Sequence, residues 1–258
     1  MARKILKLKK KPAKSARESA RKSAARKAPA RRAPAQKLPG RKAAPARKSA
    51  KAKPTLHGSA FSGPTYKVAL MFSLLGEPFA YRHVDMRAGA HKAPDHMAIN
   101  RYGQVPAMVD GDLTLCQSGA ILKYLAEKHK KFNGKDAQQR QRALEWLFWD
   151  ADRLSPGIFR TRAAIRGFVQ LAPDTGLYFR DHGENGLKVL ESQLGKSKFV
   201  AGVEPTIGDV ACYGVLAFAR EAAFDLNQYP NISAWMGRME KLSGFKPPSE
   251  MLPLHDIA

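Results

Sequence analysis

The sequence predicts a small α/β domain followed by an all-α domain, both behind a polycationic N-terminal segment. Three observations carry this. First, charge is segregated: residues 1–54 hold 21 of the 45 Lys and Arg but one acid, Glu18, for a net charge of +20, while the other 204 residues carry only +3. Second, between Thr55 and residue 130 short strand-like runs alternate with helical periodicity. Third, beyond Asn133-Gly134 only the helical period remains. The expected boundaries are residues 1–54, 55–130 and 136–258.

The first segment repeats Lys and Arg pairs spaced by Ala, Pro and Ser, as in Arg26-Lys27-Ala28-Pro29 and Arg31-Arg32-Ala33-Pro34. Past Leu38 it has nothing to build a core from, and its like charges repel, so it is expected to be disordered. It resembles the Lys/Ala/Pro-rich tails of histone-like proteins. Dense positive charge releases counterions from a polyphosphate, so non-specific binding of nucleic acid or another polyanion is the functional reading. No aromatic is interleaved, which argues against base stacking. A targeting sequence and a segment with no specific role compete with that reading. The stretch has no apolar h-region, so no secretory signal is expected.

From residue 55 the elements follow in order. Thr55 to Gly58 reads as a strand, ended by the turn-forming run Gly58-Ser59-Ala60-Phe61-Ser62-Gly63-Pro64. Tyr66, Ala69, Leu70 and Leu74 recur at helical spacing, with Pro64 suited to the first turn and Gly76 as the stop. Phe79 to Val84 is a second strand and Pro94 to Asn100 a short helix. Ala107–Val109 and Leu113–Leu115 form a hairpin across Asp110-Gly111-Asp112. Ser118 opens a helix with Ile121, Leu122 and Leu125 on its apolar face. The order βαβαββα makes a small α/β sheet.

In the helical part, Leu144, Leu147, Phe148, Ala151 and Leu154 follow the i, i+3, i+4, i+7 pattern. Asp174 to Leu194 is another helix. Thr206-Ile207-Gly208-Asp209 reads as a capping box with Asp in place of the usual Glu or Gln, which makes Asp209 a structural cap. Tyr229-Pro230 opens the last helix, with Trp235, Met239 and Leu242 inward. Trp146, Phe148 and Trp149 are read as core or dimer contacts, with an aromatic substrate patch as the alternative.

Two cysteines, Cys116 and Cys212, lie far apart without a CxxC, so neither a disulfide framework nor a zinc site is expected and both read as core residues. That usage suits a reducing compartment, hence a cytoplasmic location, with nucleoid association through the basic segment. No apolar run has the length a membrane span needs, and no membrane partner is expected.

Leu56-His57-Gly58-Ser59-Ala60-Phe61-Ser62-Gly63, with Tyr66-Lys67-Val68, resembles the first strand and helix of bacterial, serine-type, theta/zeta-like glutathione S-transferases. Gly103-Gln104-Val105-Pro106-Ala107, Asp110-Gly111 and Gln117-Ser118-Gly119-Ala120-Ile121 resemble the family's central signature. Leu74-Leu75-Gly76 and His91-Lys92-Ala93-Pro94 also fit, and the similarity is collinear from residue 55 to the end. Two departures stand out: Asn100 is followed by Arg101-Tyr102 where the family usually has Pro, and Gln117 precedes the signature Ser where an acid is common.

The resemblance implies a thioredoxin-like α/β domain followed by the family's all-α domain. It also implies conjugation of the glutathione thiolate to small apolar electrophiles, with glutathione as co-substrate, no metal, and a homodimer. On this reading Ser62 donates a hydrogen bond to the sulfur at a helix mouth, where the helix dipole adds positive potential. A capping role for Ser62 is the alternative, and Ser59 and Thr65 are the nearby substitutes. Val105, before a cis Pro106, pairs with the cysteinyl part, next to Gln104. Gln117 and Ser118 take the γ-glutamyl group, and His91 and Lys92 the glycyl carboxylate. The acceptor pocket is expected near Phe61 and Phe159. Two other readings remain open: a family-fold binding module without chemistry, tethered to nucleic acid by its tail, and a different glutathione-dependent reaction such as peroxide reduction, isomerisation or dehalogenation.

Overall fold

The structure, a computed structural model, describes residues 53–258. The expected disorder of the basic segment therefore falls outside the described residues, apart from Lys53 and Pro54. Pro54 is buried and its carbonyl accepts from the Ala80 amide at 2.9 Å, so the sheet's hydrogen bonding reaches one residue further back than the expected start at Thr55.

Four short strands form one sheet: β1 (Thr55–Gly58), β2 (Ala80–His83), β3 (Ala107–Asp110) and β4 (Leu113–Cys116). Their order is β2-β1-β3-β4. β1 runs parallel to β2 and antiparallel to β3, and β3 runs antiparallel to β4. Helix α1 (Gly63–Leu75) crosses between β1 and β2, as a parallel pair requires. Short helix α2 (Pro94–Ile99) leads to β3, and α3 (Ser118–His129) follows β4. This is the thioredoxin-like α/β arrangement the resemblance implied.

The start and end of α1 follow their sequence signals. Ser62 is the N-cap, Pro64 sits in the first turn, and Gly76 closes the helix at φ +68°, a left-handed conformation that costs glycine nothing. The one-sided apolar face expected for α1 is too narrow. Val68, Met71 and Phe72 are buried along with Tyr66, Ala69 and Leu70, because α1 packs against α3 and against α7 (Ile207–Leu216) of the helical part.

The helical part holds α4 (Ala137–Trp149), a π-helical turn (Asp150–Leu154), α5 (Ser155–Ile165), α6 (Pro173–Leu194), α7 and α8 (Pro230–Glu240). A short α9 (Pro248–Met251) follows, so α8 is not the last helix as expected. The chain then returns to the sheet: Ile257 pairs antiparallel with Tyr81, its carbonyl 2.8 Å from the Tyr81 amide. Asp256 accepts from the His83 amide at 2.7 Å. The C-terminal residues thus cover the open edge of β2, a common way to shield unpaired strand groups. Nothing in their sequence signals this.

Asp209 caps α7 as expected. One carboxylate oxygen accepts from the Thr206 amide at 2.8 Å and its hydroxyl at 3.0 Å; the other accepts from the Val200 amide at 2.8 Å and from Trp235 Nε1 at 3.0 Å. Complete burial pushes its pKa up from 3.8 to about 6 against these hydrogen bonds. A raised carboxyl contributes stability that is complete below its unfolded value, near 4, and is lost as pH rises through about 6. In urea unfolding, Asp209→Asn should therefore cost more stability at pH 4 than at pH 7. An equal cost at both would show that the Asp209 pKa is not raised by folding.

Candidate active site

A cavity of about 1520 Å³ opens where the β1–α1 turn, the loop before β3 and the start of α3 face α4 and α5. Of the residues singled out from sequence, Ser62, His91, Gln104, Val105, Pro106, Gln117 and Ser118 line this one cavity, together with Phe61 and Phe159. Lys92 does not: it is exposed, and its side chain lies over Gly103, where an added Cβ would come within 2.7 Å of Nζ.

Ser62 is extended (φ −96°, ψ 111°), and its Oγ accepts from the Thr65 amide at 3.2 Å. The cap uses a lone pair and leaves the hydroxyl proton without an acceptor among the described residues, so capping and donation into the cavity are compatible. The substitutes are less well placed. Thr65 is fully buried and its Oγ1 faces the Ser59 amide. Tyr66 is buried too, its hydroxyl donating to the Lys246 carbonyl at 2.8 Å, and burial pushes its pKa up. Ser59 lines the cavity but is 3% exposed.

The Val105–Pro106 peptide bond is cis, as the resemblance implied. Two buried residues hold this turn from behind. Asn100 Nδ2 donates to the Gln104 carbonyl at 2.7 Å and lies 3.5 Å from that of Pro106, and His96 Nε2 is 2.8 Å from the Gln104 carbonyl. The amide and carbonyl of Val105 have no partner among the described residues. Neither His96 nor Asn100 was foreseen in this role.

Gln117, not Ser118, is the N-cap of α3, and it takes φ +73°, uncommon for a residue with a side chain. Ser118 is therefore the first helical residue. The amides of Ser118, Gly119 and Ala120, in the first turn, have no intrahelical acceptor and stand at the cavity wall. His91 Nδ1 is buried without a hydrogen-bond partner among the described residues.

The opposite wall comes from the helical part. Leu144, Leu147, Phe148 and Ala151 line the cavity, so most of the helical stripe is cavity wall. Phe148 is 71% exposed there, which corrects the core part of its core-or-dimer reading, whereas Trp146 and Trp149 pack edge-on at 4.8 Å. Cys212 is buried as expected, but Cys116 is only half-buried.

Two buried charged groups and a half-buried serine line the cavity, unforeseen from sequence. Lys67 of α1 forms an ion pair with Asp150, both under 5% exposed, and donates to Ser155 Oγ at 2.9 Å. Ser155 donates to the other Asp150 oxygen at 3.1 Å. The π-helical turn beginning at Asp150 breaks the regular period there. Nearby, Arg162 of α5 donates to the Phe61 carbonyl at 2.7 Å and to Glu221 at 3.0 and 2.9 Å. Burial draws its pKa down, opposed by Glu221. The residue before Ser62 is thus tied to the helical part.

The family models "Glutathione S-transferase, N-terminal domain" and "Glutathione S-transferase, C-terminal domain" match residues 57–127 and 137–238. A probable glutathione S-transferase, GSTF2, of Oryza sativa subsp. japonica is 32% identical over 193 residues, covering 70% of this chain and 88% of that protein. The disulfide-bond oxidoreductase YfcG of Escherichia coli is 29% identical, covering 67% and 84%. A crystal structure of a glutathione S-transferase from Pseudomonas fluorescens superposes with a TM-score of 0.72 at 29% identity, covering 76% of this chain and 99% of that one. The chain belongs to the glutathione S-transferase family.

Proposed function

We propose that the protein conjugates glutathione to small electrophiles with an apolar body, and that Ser62 keeps the glutathione sulfur ionised. The observation that carries this reading is the Ser62 hydroxyl, with no acceptor among the described residues, at the mouth of α1 in the same cavity as the Val105 turn and the first residues of α3.

The tripeptide lies along that wall. The unpaired Val105 amide and carbonyl bond the cysteinyl unit as a strand partner would, with Gln104 alongside. The first-turn amides of α3, the Ser118 hydroxyl and the Gln117 amide take the γ-glutamyl carboxylate. His91 takes the glycyl carboxylate, with Lys92 at the rim. The Ser62 hydroxyl and the positive end of α1 stabilise the thiolate, and the thiol proton leaves to solvent. With an aryl chloride, the sulfur attacks the carbon bearing chlorine; the C–S bond forms, and chloride leaves with the C–Cl pair. Phe61, Phe148 and Phe159 supply the apolar wall for the electrophile. Gly63 admits Phe159 there, since an added Cβ would come within 2.2 Å of its ring. The test is turnover of glutathione with 1-chloro-2,4-dinitrobenzene by the full chain; no turnover, with no glutathione binding, rejects the reading.

The basic segment adds a second role. Its net charge of +20 over 54 residues favours non-specific binding to a polyanion such as duplex DNA. DNA affinity should fall steeply with salt and be lost on removing residues 1–52, leaving glutathione turnover unchanged. DNA affinity that persists without them would place the binding elsewhere.

A further inference from the structure

The acceptor end of the cavity has a charge pattern that a purely apolar electrophile does not explain. Phe61 and Phe168 form a tilted pair with centroids 6.2 Å apart, and both are more than a third exposed. Two guanidiniums flank them: Arg87 Cζ lies 5.6 and 5.1 Å from the two centroids, and Arg166 Cζ lies 5.3 and 5.8 Å from them. Arg160 and Arg162 line the same cavity.

The acids nearby do not balance these charges. Glu221 is shared between Arg162 and Arg166. Asp85 is turned to its own loop, accepting from the Arg87 and Ala88 amides at 2.9 and 3.1 Å. Asp150 is already paired with Lys67. Arg160 has no hydrogen bond or ion pair among the described residues, and Arg87 makes ring contacts and only a longer-range charge interaction with Asp85, with no ion pair to it. A cleft with an excess of one sign concentrates ligands of the other. Guanidiniums suit planar anions, and exposed aromatic faces suit a conjugated body.

We propose that the electrophile accepted here carries an anionic group, such as a carboxylate or sulfonate, on a flat conjugated body: Arg160 and Arg87 hold the anion while Phe61 and Phe168 stack the rings. This rests on the glutathione-conjugating reading and names its second substrate. Arg87 stands by the aromatic pair and Arg160 lines the same cavity, whereas the tripeptide is assigned to the Val105 turn and α3.

The test uses the full chain saturated with unreactive S-methylglutathione. Calorimetry gives the Kd of 4-chloro-3,5-dinitrobenzoate and of its neutral methyl ester. The benzoate should bind about ten-fold tighter than the ester, the scale of one charge-assisted contact. Arg160→Gln and Arg87→Gln should each remove most of that preference and leave ester affinity unchanged. Arg153→Gln, which removes a charge outside the cavity, should leave the preference intact.

Equal affinity of the parent for the two probes would overturn the proposal. So would equal weakening of both probes in Arg160→Gln, or loss of S-methylglutathione binding in that variant, which would assign Arg160 to the tripeptide. Failure of the parent to bind S-methylglutathione would instead reject the glutathione reading, with the benzoate–ester comparison still readable on the protein alone.

Discussion

Ser62→Ala is expected to lower kcat by about five- to ten-fold at neutral pH, the share of thiolate lost when the bound-thiol pKa rises by about one unit. The Michaelis constant for glutathione should change little, because the Val105 turn, Gln117, Ser118 and His91 all remain. The loss should shrink as pH rises, since bulk hydroxide then supplies the thiolate that the lost hydroxyl no longer favours. Ser62 also caps α1, so alanine should cost about 1 kcal/mol of stability. Two further variants separate the roles. Ser62→Gly loses the donor with a much smaller capping loss, and Ser62→Thr keeps both functions. Steady-state rates should therefore fall in Gly as in Ala and be largely retained in Thr. Parental kcat in Ser62→Gly would remove the hydroxyl from the mechanism.

The second large effect concerns the charged pair that lines the cavity. Asp150→Ala leaves the Lys67 ammonium buried without its counter-charge, and the expected loss in denaturant unfolding is about 3–5 kcal/mol. Lys67→Met leaves Asp150 with only Ser155 and should cost a similar amount. The double variant Lys67→Met/Asp150→Leu should recover most of the loss, because the strain lies in the unpaired charge rather than in the missing pair. Lys67 and Ser62 both belong to the start of α1, so Asp150→Ala should also lower kcat at temperatures where the protein is still folded. Additive losses in the double variant would show that the two groups do not act as a pair.

Much of the architecture was legible because the signals were local. Pro64 and Gly76 bound α1, Asp110-Gly111 turns β3 into β4, and the Thr206–Asp209 box starts α7; each depends on residues a few positions apart. The segments that line the cavity were legible through motif order. What escaped detection was non-local. The Lys67–Asp150 pair joins residues 83 positions apart, and the Arg162–Phe61 contact joins residues 101 apart. The return of Ile257 to Tyr81 is longer still. Apolar periodicity gave the right face of α4 but could not say whether it met a core or a cavity, since Leu144 and Phe148 want low polarity in either place. The positive φ of Gln117 had no signal at all, because glycine or asparagine is the usual mark of that conformation.

The most direct test of the account is the ionisation of bound glutathione. Its thiolate absorbance, followed against pH on the full chain, should give a pKa about one to two units below the free thiol's value of about 8.5. In Ser62→Ala the titration should move back up by about one unit, the part of the shift assigned to the lost donor. An identical bound-thiol pKa in the parent and Ser62→Ala, at full glutathione occupancy, would contradict the claim that the hydroxyl at the mouth of α1 holds the sulfur ionised.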